Sequence, residues 1–333
     1  MRWLLALALS LTAAPAGPSR PASRAPITAL RFAPDGSALV AASQEGVAAY
    51  ARAGERLALR ARWSSAMTNR HALAFSPDGR QLAIAGGAPG ESGSVELREW
   101  PGGGLLRTLT GHRDLVMAVA FGAGSRLATG SADQTIRLWS LAGGTAPRVL
   151  AGHAGPVLAV AFSPDGRWLA TGSADQSVKL WDPASGELHR TLAQHAGAVE
   201  AVAFSPDGRF LATAGTDGTA RVWQPEIGRL LRTIRGHDAP VRDLCYTPDG
   251  AGLLTAAADG RVRLLAADGP RPGAEDAVLH TFPTARAPLY AVAVTPDGRT
   301  VAVGGAEGRI QTYQLSAVSR QPNRTTRRLT ADG

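Results

Sequence analysis

Residues 151–182 read AGHAGPVLAVAFSPDGRWLATGSADQSVKLWD, and the chain spells nearly the same phrase twice more. Residues 193–224 give AQHAGAVEAVAFSPDGRFLATAGTDGTARVWQ, and residues 110–140 give TGHRDLVMAVAFGAGSRLATGSADQTIRLWS. Laid under one another, Thr129, Thr171, Thr213 and Thr255 fall 42 residues apart, as do Asp133, Asp175, Asp217 and Asp259. His112, His153, His195 and His237 step by 41, 42 and 42. A fixed period of about 40 residues means one supersecondary unit stacked on copies of itself.

Inside the unit, apolar residues alternate or run for about six positions between turn residues, the pattern of short antiparallel strands. In the 151–182 copy the spacing predicts strands over Val157–Phe162, Trp168–Ser173 and Ser177–Trp181, with a fourth following as HRTLA. The SPDG between the first two puts Pro164 at a position whose fixed φ suits a turn and leaves Gly166 free for positive φ. Related turns begin at Ala33, Ser76, Ser205, Thr247 and Thr295, and GAGS replaces one after Phe121. Seven units result, starting near Pro26, Met67, Arg113, Ala154, Ala196, Asp238 and Arg286. The expected fold is all-β, a seven-bladed propeller of four-stranded antiparallel blades, whose radial arrangement leaves only short, protected edges.

The phrase GH…SPDG…ATGSAD…VKLWD, close in three units and loose in four, resembles the repeat of the WD-repeat β-propeller family across about residues 25–333. The resemblance implies a hydrogen-bonded set in each full unit: His112, Thr129, Asp133 and Trp139; His153, Thr171, Asp175 and Trp181; His195, Thr213, Asp217 and Trp223. The residue types fit that role. An aspartate in a tight turn accepts from backbone N–H groups and from an imidazole, whose other nitrogen meets a threonine hydroxyl, which accepts from an indole. The sixth unit keeps His237, Thr255 and Asp259 but has Leu265 in place of the indole. Repeated His-Thr-Asp triads resemble hydrolase machinery, yet groups buried between strands and mutually satisfied are structural.

The chain has 333 residues, 44% apolar, with a formal charge of +8. Lys179 is its one lysine; the remaining cations are arginines scattered along the chain rather than gathered on one face, which disfavours nucleic acid as a partner. MRWLLALALSLTAAPAG at residues 1–17 has a basic start, a short apolar run and an A-x-A site at 14–16. Residues 1–16 therefore read as a secretory signal peptide cleaved after Ala16, residues 17–24 as a flexible lead-in, and residues 25–333 as the propeller, periplasmic or secreted, with no membrane span in the mature chain. Cys245 is alone and sits in the strand position of Ala120, Ala161 and Ala203, which suits a core residue. His71, His189 and His280 lie outside the repeated sets at unlike positions, so neither a metal nor a cofactor is implied.

Function is sought where the units differ. The fourth residue before the aromatic of each first strand is Thr28, His71, Met117, Leu158, Glu200, Arg242 and Tyr290 in turn. In the fold that the resemblance implies, these seven ring the mouth of the central channel, the family's usual partner-contact surface. The bland alternative pairs Glu200 with Arg242 and leaves Met117 and Leu158 as edge core. The expected function is a non-enzymatic scaffold or adaptor for a protein or peptide, a monomeric propeller within a larger complex; the competing reading is a lactonase-like hydrolase with a channel-mouth site.

Ring closure departs from the family habit of lending an N-terminal strand to the last blade, because GPSRPASRAP at 17–26 is short and proline-rich. TTRRLTADG at 325–333 echoes LLRTLTGH at 105–112, so Thr326–Thr330 is expected to supply the seventh blade's fourth strand. Deleting residues 320–333 should sharply lower the melting temperature followed by circular dichroism; an unchanged melt counts against this closure.

Overall fold

A computed structural model describes residues 25–315, apart from Glu55, Ala66 and residues 144–145, 268–277 and 283–286. Every regular element in it is a β-strand. They form seven antiparallel sheets, each from consecutive stretches of chain: six with four strands, and a last one with three strands among the described residues. Residues 1–24, read above as signal peptide and lead-in, and the tail expected to add a strand at Thr326–Thr330 lie outside the described residues.

Each sheet is a blade, and apolar packing is between blades rather than within them. Val178, Leu180 and Leu192 of the fourth blade pack with Val199, Val202 and Leu211 of the fifth. Seven such clusters occur, one for each pair of neighbours, and the one that returns the ring to its start joins Ile27, Leu30 and Leu39 to Ala291, Ala293 and Ala302. A small residue on the second strand makes room for a branched one on the next blade. A Cβ on Gly172 would lie 2.8 Å from Val199, one on Gly130 2.6 Å from Val157, and one on Gly304 2.7 Å from Ile27. Burying these faces supplies the main favourable term in folding, about 25 cal/mol for each Å² of apolar surface removed from water.

The turn between the first and second strands works as the composition predicts. In the fourth blade Ser163 Oγ donates to Asp165 Oδ1 at 2.5 Å, while Arg167 N donates to the same oxygen at 3.0 Å, and Gly166 takes φ 71°. These turns also touch one another around the ring. The glycines at 36, 79, 208, 250 and 298 each face the proline of the preceding blade's turn, Pro296 lying against Gly36 so that the last blade meets the first.

The outer strands carry an irregularity of their own. Their register shifts opposite Tyr50, Arg98, Trp181, Trp223 and Leu265, which kinks the exposed edges and protects them from pairing with other chains.

The turn between the second and third strands needs one left-handed residue. Gly218, Gly260 and Gly308 take φ 73°, 75° and 65° there, but Gln134 and Gln176 are held at 72° and 71°. A side chain in that region costs ~1–2 kcal/mol, partly offset by the smaller entropy such a residue loses on folding compared with glycine. Gln134→Gly and Gln176→Gly should therefore each stabilise the protein by roughly 0.5–1 kcal/mol in urea denaturation. Stability equal to or below that of the parent in both would show that the turns are unstrained.

Candidate functional site

The repeated polar residues come together first. His153 Nδ1 lies 2.8 Å from Asp175 Oδ2 and Nε2 2.8 Å from Thr171 Oγ1, and Trp181 Nε1 donates to that hydroxyl at 2.9 Å. The sets built on His112 and His195 repeat this within about a tenth of an ångström. In the sixth blade His237 keeps both contacts at 2.9 Å, and Leu265, buried, fills the place of the indole. The geometry assigns the ring proton to Nδ1, facing the carboxylate, and lets the threonine hydroxyl donate to Nε2 while accepting from tryptophan.

Each histidine lies at the crossing from the preceding blade, so the set spans two blades rather than one. Asp175 accepts Ala154 N of that crossing at 2.9 Å and Ser177 N of its own turn at 2.9 Å. A fifth member was not anticipated: the hydroxyl two residues after the aspartate, Thr135, Ser177 or Thr219, donates to it at 2.6–2.8 Å. The recurrence of Ser or Thr at that offset was the available signal. In the fifth and sixth blades Arg221 and Arg263 add a guanidinium 3.4 Å from the same carboxylate.

The second blade has no such histidine and uses a different buried network. Glu96, 5% exposed, accepts Ser65 Oγ at 2.6 Å and the Arg98 guanidinium through Nε at 2.9 Å and Nη2 at 2.7 Å. Arg70, also buried, donates to the carbonyls of Ser43, Gln44 and Ser65 and so ties the crossing from the first blade. None of these was singled out from sequence, because no other unit repeats them.

The channel-mouth residues share a feature that the sequence concealed. In the ladder between first and second strands, pairing passes from Val157 to Ala159, from Val199 to Ala201, and from Val241 to Asp243, skipping Leu158, Glu200 and Arg242. The same skip leaves out Thr28, His71, Met117 and Tyr290. All seven residues are thus the extra residue of a β-bulge, and all seven are half-buried. A bulge turns its side chain out of the pleat, here at one level around the axis.

Three of the seven are committed within the protein. Arg242 Nη1 donates to Glu200 Oε1 at 2.6 Å, the pairing that the bland alternative named. Burial raises the Glu200 carboxyl above its ordinary value, opposed by Arg242. Thr28 Oγ1 is 2.6 Å from the carbonyl of Arg70, its hydroxyl donating to the second blade. Among the described residues His71 Nε2 is buried without a hydrogen-bond partner, and burial lowers the His71 imidazole below its usual range. His189 stacks on Trp168 at 4.4 Å and His280 meets Phe282 edge-on, well apart from the mouth. Among the described residues no three His, Cys, Asp or Glu side chains converge as a metal site. Burial, with Asp243 second, pushes the Cys245 thiol up to about 12, which keeps it protonated and inert.

The family model described as "WD domain, G-beta repeat" matches residues 103–140, 144–182, 186–224 and 228–264. This chain is a seven-bladed β-propeller that carries four WD repeats. The matched units cover the blades that hold the histidine sets, and each begins with the outer strand of one blade and ends with the third strand of the next. Among similar proteins, an uncharacterized WD repeat-containing protein of Synechocystis sp. is 32% identical over 143 residues, 42% of this chain and 39% of that one. The "Intraflagellar transport protein 122 homolog" of Danio rerio is 42% identical over 69 residues, 20% of this chain and 5% of that protein, and the human homolog is 39% identical over the same length. The propeller thus spans well under half the length of these relatives. WD-repeat propellers generally serve as protein-interaction scaffolds and are typically non-catalytic. The described residues contain no helix long and apolar enough to cross a membrane.

The histidine sets make the propeller sensitive to acid. Burial holds His153, His195 and His237 below their ordinary 6.5, against the pull of their aspartates. Burial also works to raise Asp175 and Asp217, but hydroxyl, main-chain and imidazole donors bring both down to about 2. In both cases the unfolded chain binds protons more readily than the folded one, so stability rises with pH. The histidine contribution is whole above 6.5 and is lost as pH falls through the folded values; the aspartate contribution goes between 3.8 and about 2. Calorimetry at constant ionic strength should show a melting temperature that is level above pH 7, falls below about 6.5 and falls again below about 4. A melt unchanged between pH 7 and 5 would remove the histidine part of this account.

Proposed function

We propose that this propeller is an exported, non-enzymatic scaffold that holds a protein or peptide partner at its channel mouth. The observation that carries the reading is the bulge in every blade, which presents to the mouth the inner-strand residue that is different in all seven blades. Residues that repeat are enclosed and bonded to saturation, so the unlike ones are left to discriminate. Glu200 and Arg242 answer each other and Thr28 bonds the second blade, which leaves Tyr290, His71, Met117 and Leu158 for contact and favours a largely apolar partner segment. A channel-mouth hydrolase needs several uncommitted ionisable groups converging on one point, and that mutual pairing speaks against it. Export rests on the signal-peptide pattern of residues 1–16, and predicts a mature chain beginning at Gly17.

Affinity capture from envelope and medium fractions tests this with wild type and a Leu158→Arg, Tyr290→Ala variant of unchanged melting temperature. A partner retained by wild type should bind the variant about 30-fold more weakly, the effect of losing a contact worth about 2 kcal/mol. Identical captured sets would remove the channel mouth as the contact surface. Turnover of a lactone or ester by the purified protein would replace the scaffold with an enzyme.

A further inference from the structure

Along the inner strands, the residue after each bulge is Ala29, Ala72, Ala118, Ala159, Ala201, Asp243 and Ala291. Two residues further on stand Arg31, Ala74, Ala120, Ala161, Ala203, Cys245 and Ala293. Only one residue in each row is charged, Asp243 on the sixth blade and Arg31 on the first, and these blades are not neighbours because the seventh lies between them. The two side chains nevertheless meet, Arg31 Nη1 lying 3.8 Å from Asp243 Oδ2. The same oxygen accepts the main-chain N–H of Val292, on the inner strand of the seventh blade, at 3.0 Å. Its partner oxygen accepts Leu244 N at 2.9 Å, which fixes the carboxylate on its own strand. Arg31 Nη1 also donates to the carbonyl of Leu30 at 2.8 Å, so the guanidinium is anchored as well.

We infer that Asp243 is a staple across the seam of the ring, one carboxylate joining the sixth, seventh and first blades at the axis where the two ends of the propeller meet. Other contacts hold this seam pairwise. Ile27 fills the space over Gly304, and Arg52 Nη2 donates to Thr300 Oγ1 at 3.1 Å and lies 3.5 Å from Asp297. None of these reaches a third blade. The seam is also where the need is greatest, because among the described residues every other pair of neighbours is joined by the next stretch of chain while the first and last blades are not. The Asp243 side chain is 15% exposed, which shields its bonds from competition by water. The assignment is independent of what the channel mouth binds.

Alanine at 243 is the residue six other blades carry, and alanine at 31 is carried by five of the six other blades except for the cysteine at 245, so both substitutions suit the fold. The test is hydrogen exchange, read by mass spectrometry, on the full chain as wild type, Asp243→Ala, Asp243→Asn, Arg31→Ala and the double alanine variant. Asp243→Ala should speed exchange about tenfold in peptides covering Ile27–Phe32 and Leu289–Val294, as for loss of one partly buried hydrogen bond, and leave Val157–Phe162 unchanged. Arg31→Ala should give a smaller effect that is absent when Asp243 is already alanine, and Asp243→Asn should fall between Arg31→Ala and Asp243→Ala, because its one amide oxygen can still accept Val292 N while its NH2 cannot accept Leu244 N. Seam peptides exchanging at the wild-type rate in Asp243→Ala, or acceleration equal in every blade, would overturn the assignment.

Discussion

In blades three to six one carboxylate bonds two pieces of chain that the strand ladders leave unconnected. Asp133, Asp175, Asp217 and Asp259 accept from the turn in which they sit and from the imidazole at the crossing out of the preceding blade. That double hold fixes the angle at which one sheet follows another, and the interblade cores can then close over the small residues of each second strand. The first, second and seventh blades lack this pair of aspartate and histidine, and in the second a buried glutamate with two arginines nearby does comparable work. A buried ion pair of this type adds little net stability over an apolar equivalent but is costly to break on one side only.

The basic charge has a structural account in the same terms. Arg148 donates to the carbonyl of Ala184 at 2.7 Å and Arg232 to that of Ala266 at 2.9 Å, each reaching from an outer strand to the following blade. Arg137 bonds the carbonyl of Gly111, and Arg221 and Arg263 face the repeat aspartates. Guanidinium groups suit such positions because a planar donor fork on a long stem satisfies carbonyls at a distance and remains charged when partly buried. Much of the arginine excess is therefore distributed through the joints between blades rather than assembled into a surface for phosphate.

What could be read from the sequence was what recurs. A landmark such as Thr171 has counterparts 42 residues away on both sides, so strand positions, turns and the histidine sets emerge from alignment of the chain with itself. The channel-mouth positions were found by the opposite property, variation at a fixed place, but their bulges were invisible because an extra residue in every copy leaves the period untouched. The Glu96, Arg98 and Arg70 network had no copy to reveal it. Asp243 stands out along the sequence as a departure from alanine, whereas its meeting with Arg31 depends on the curvature that brings the first blade round to the sixth, which no local pattern encodes.

The offset between the repeated unit and the blade has a consequence for how such a chain divides. Because each matched unit contributes its outer strand to one sheet and its three other strands to the next, a break at a unit boundary separates an outer strand from the three it belongs with. The two pieces are left with complementary ends, an open ladder on one and an unpaired strand on the other, like a tongue and its groove. Severed halves of this propeller therefore carry in their ends the instruction for rejoining in a single order.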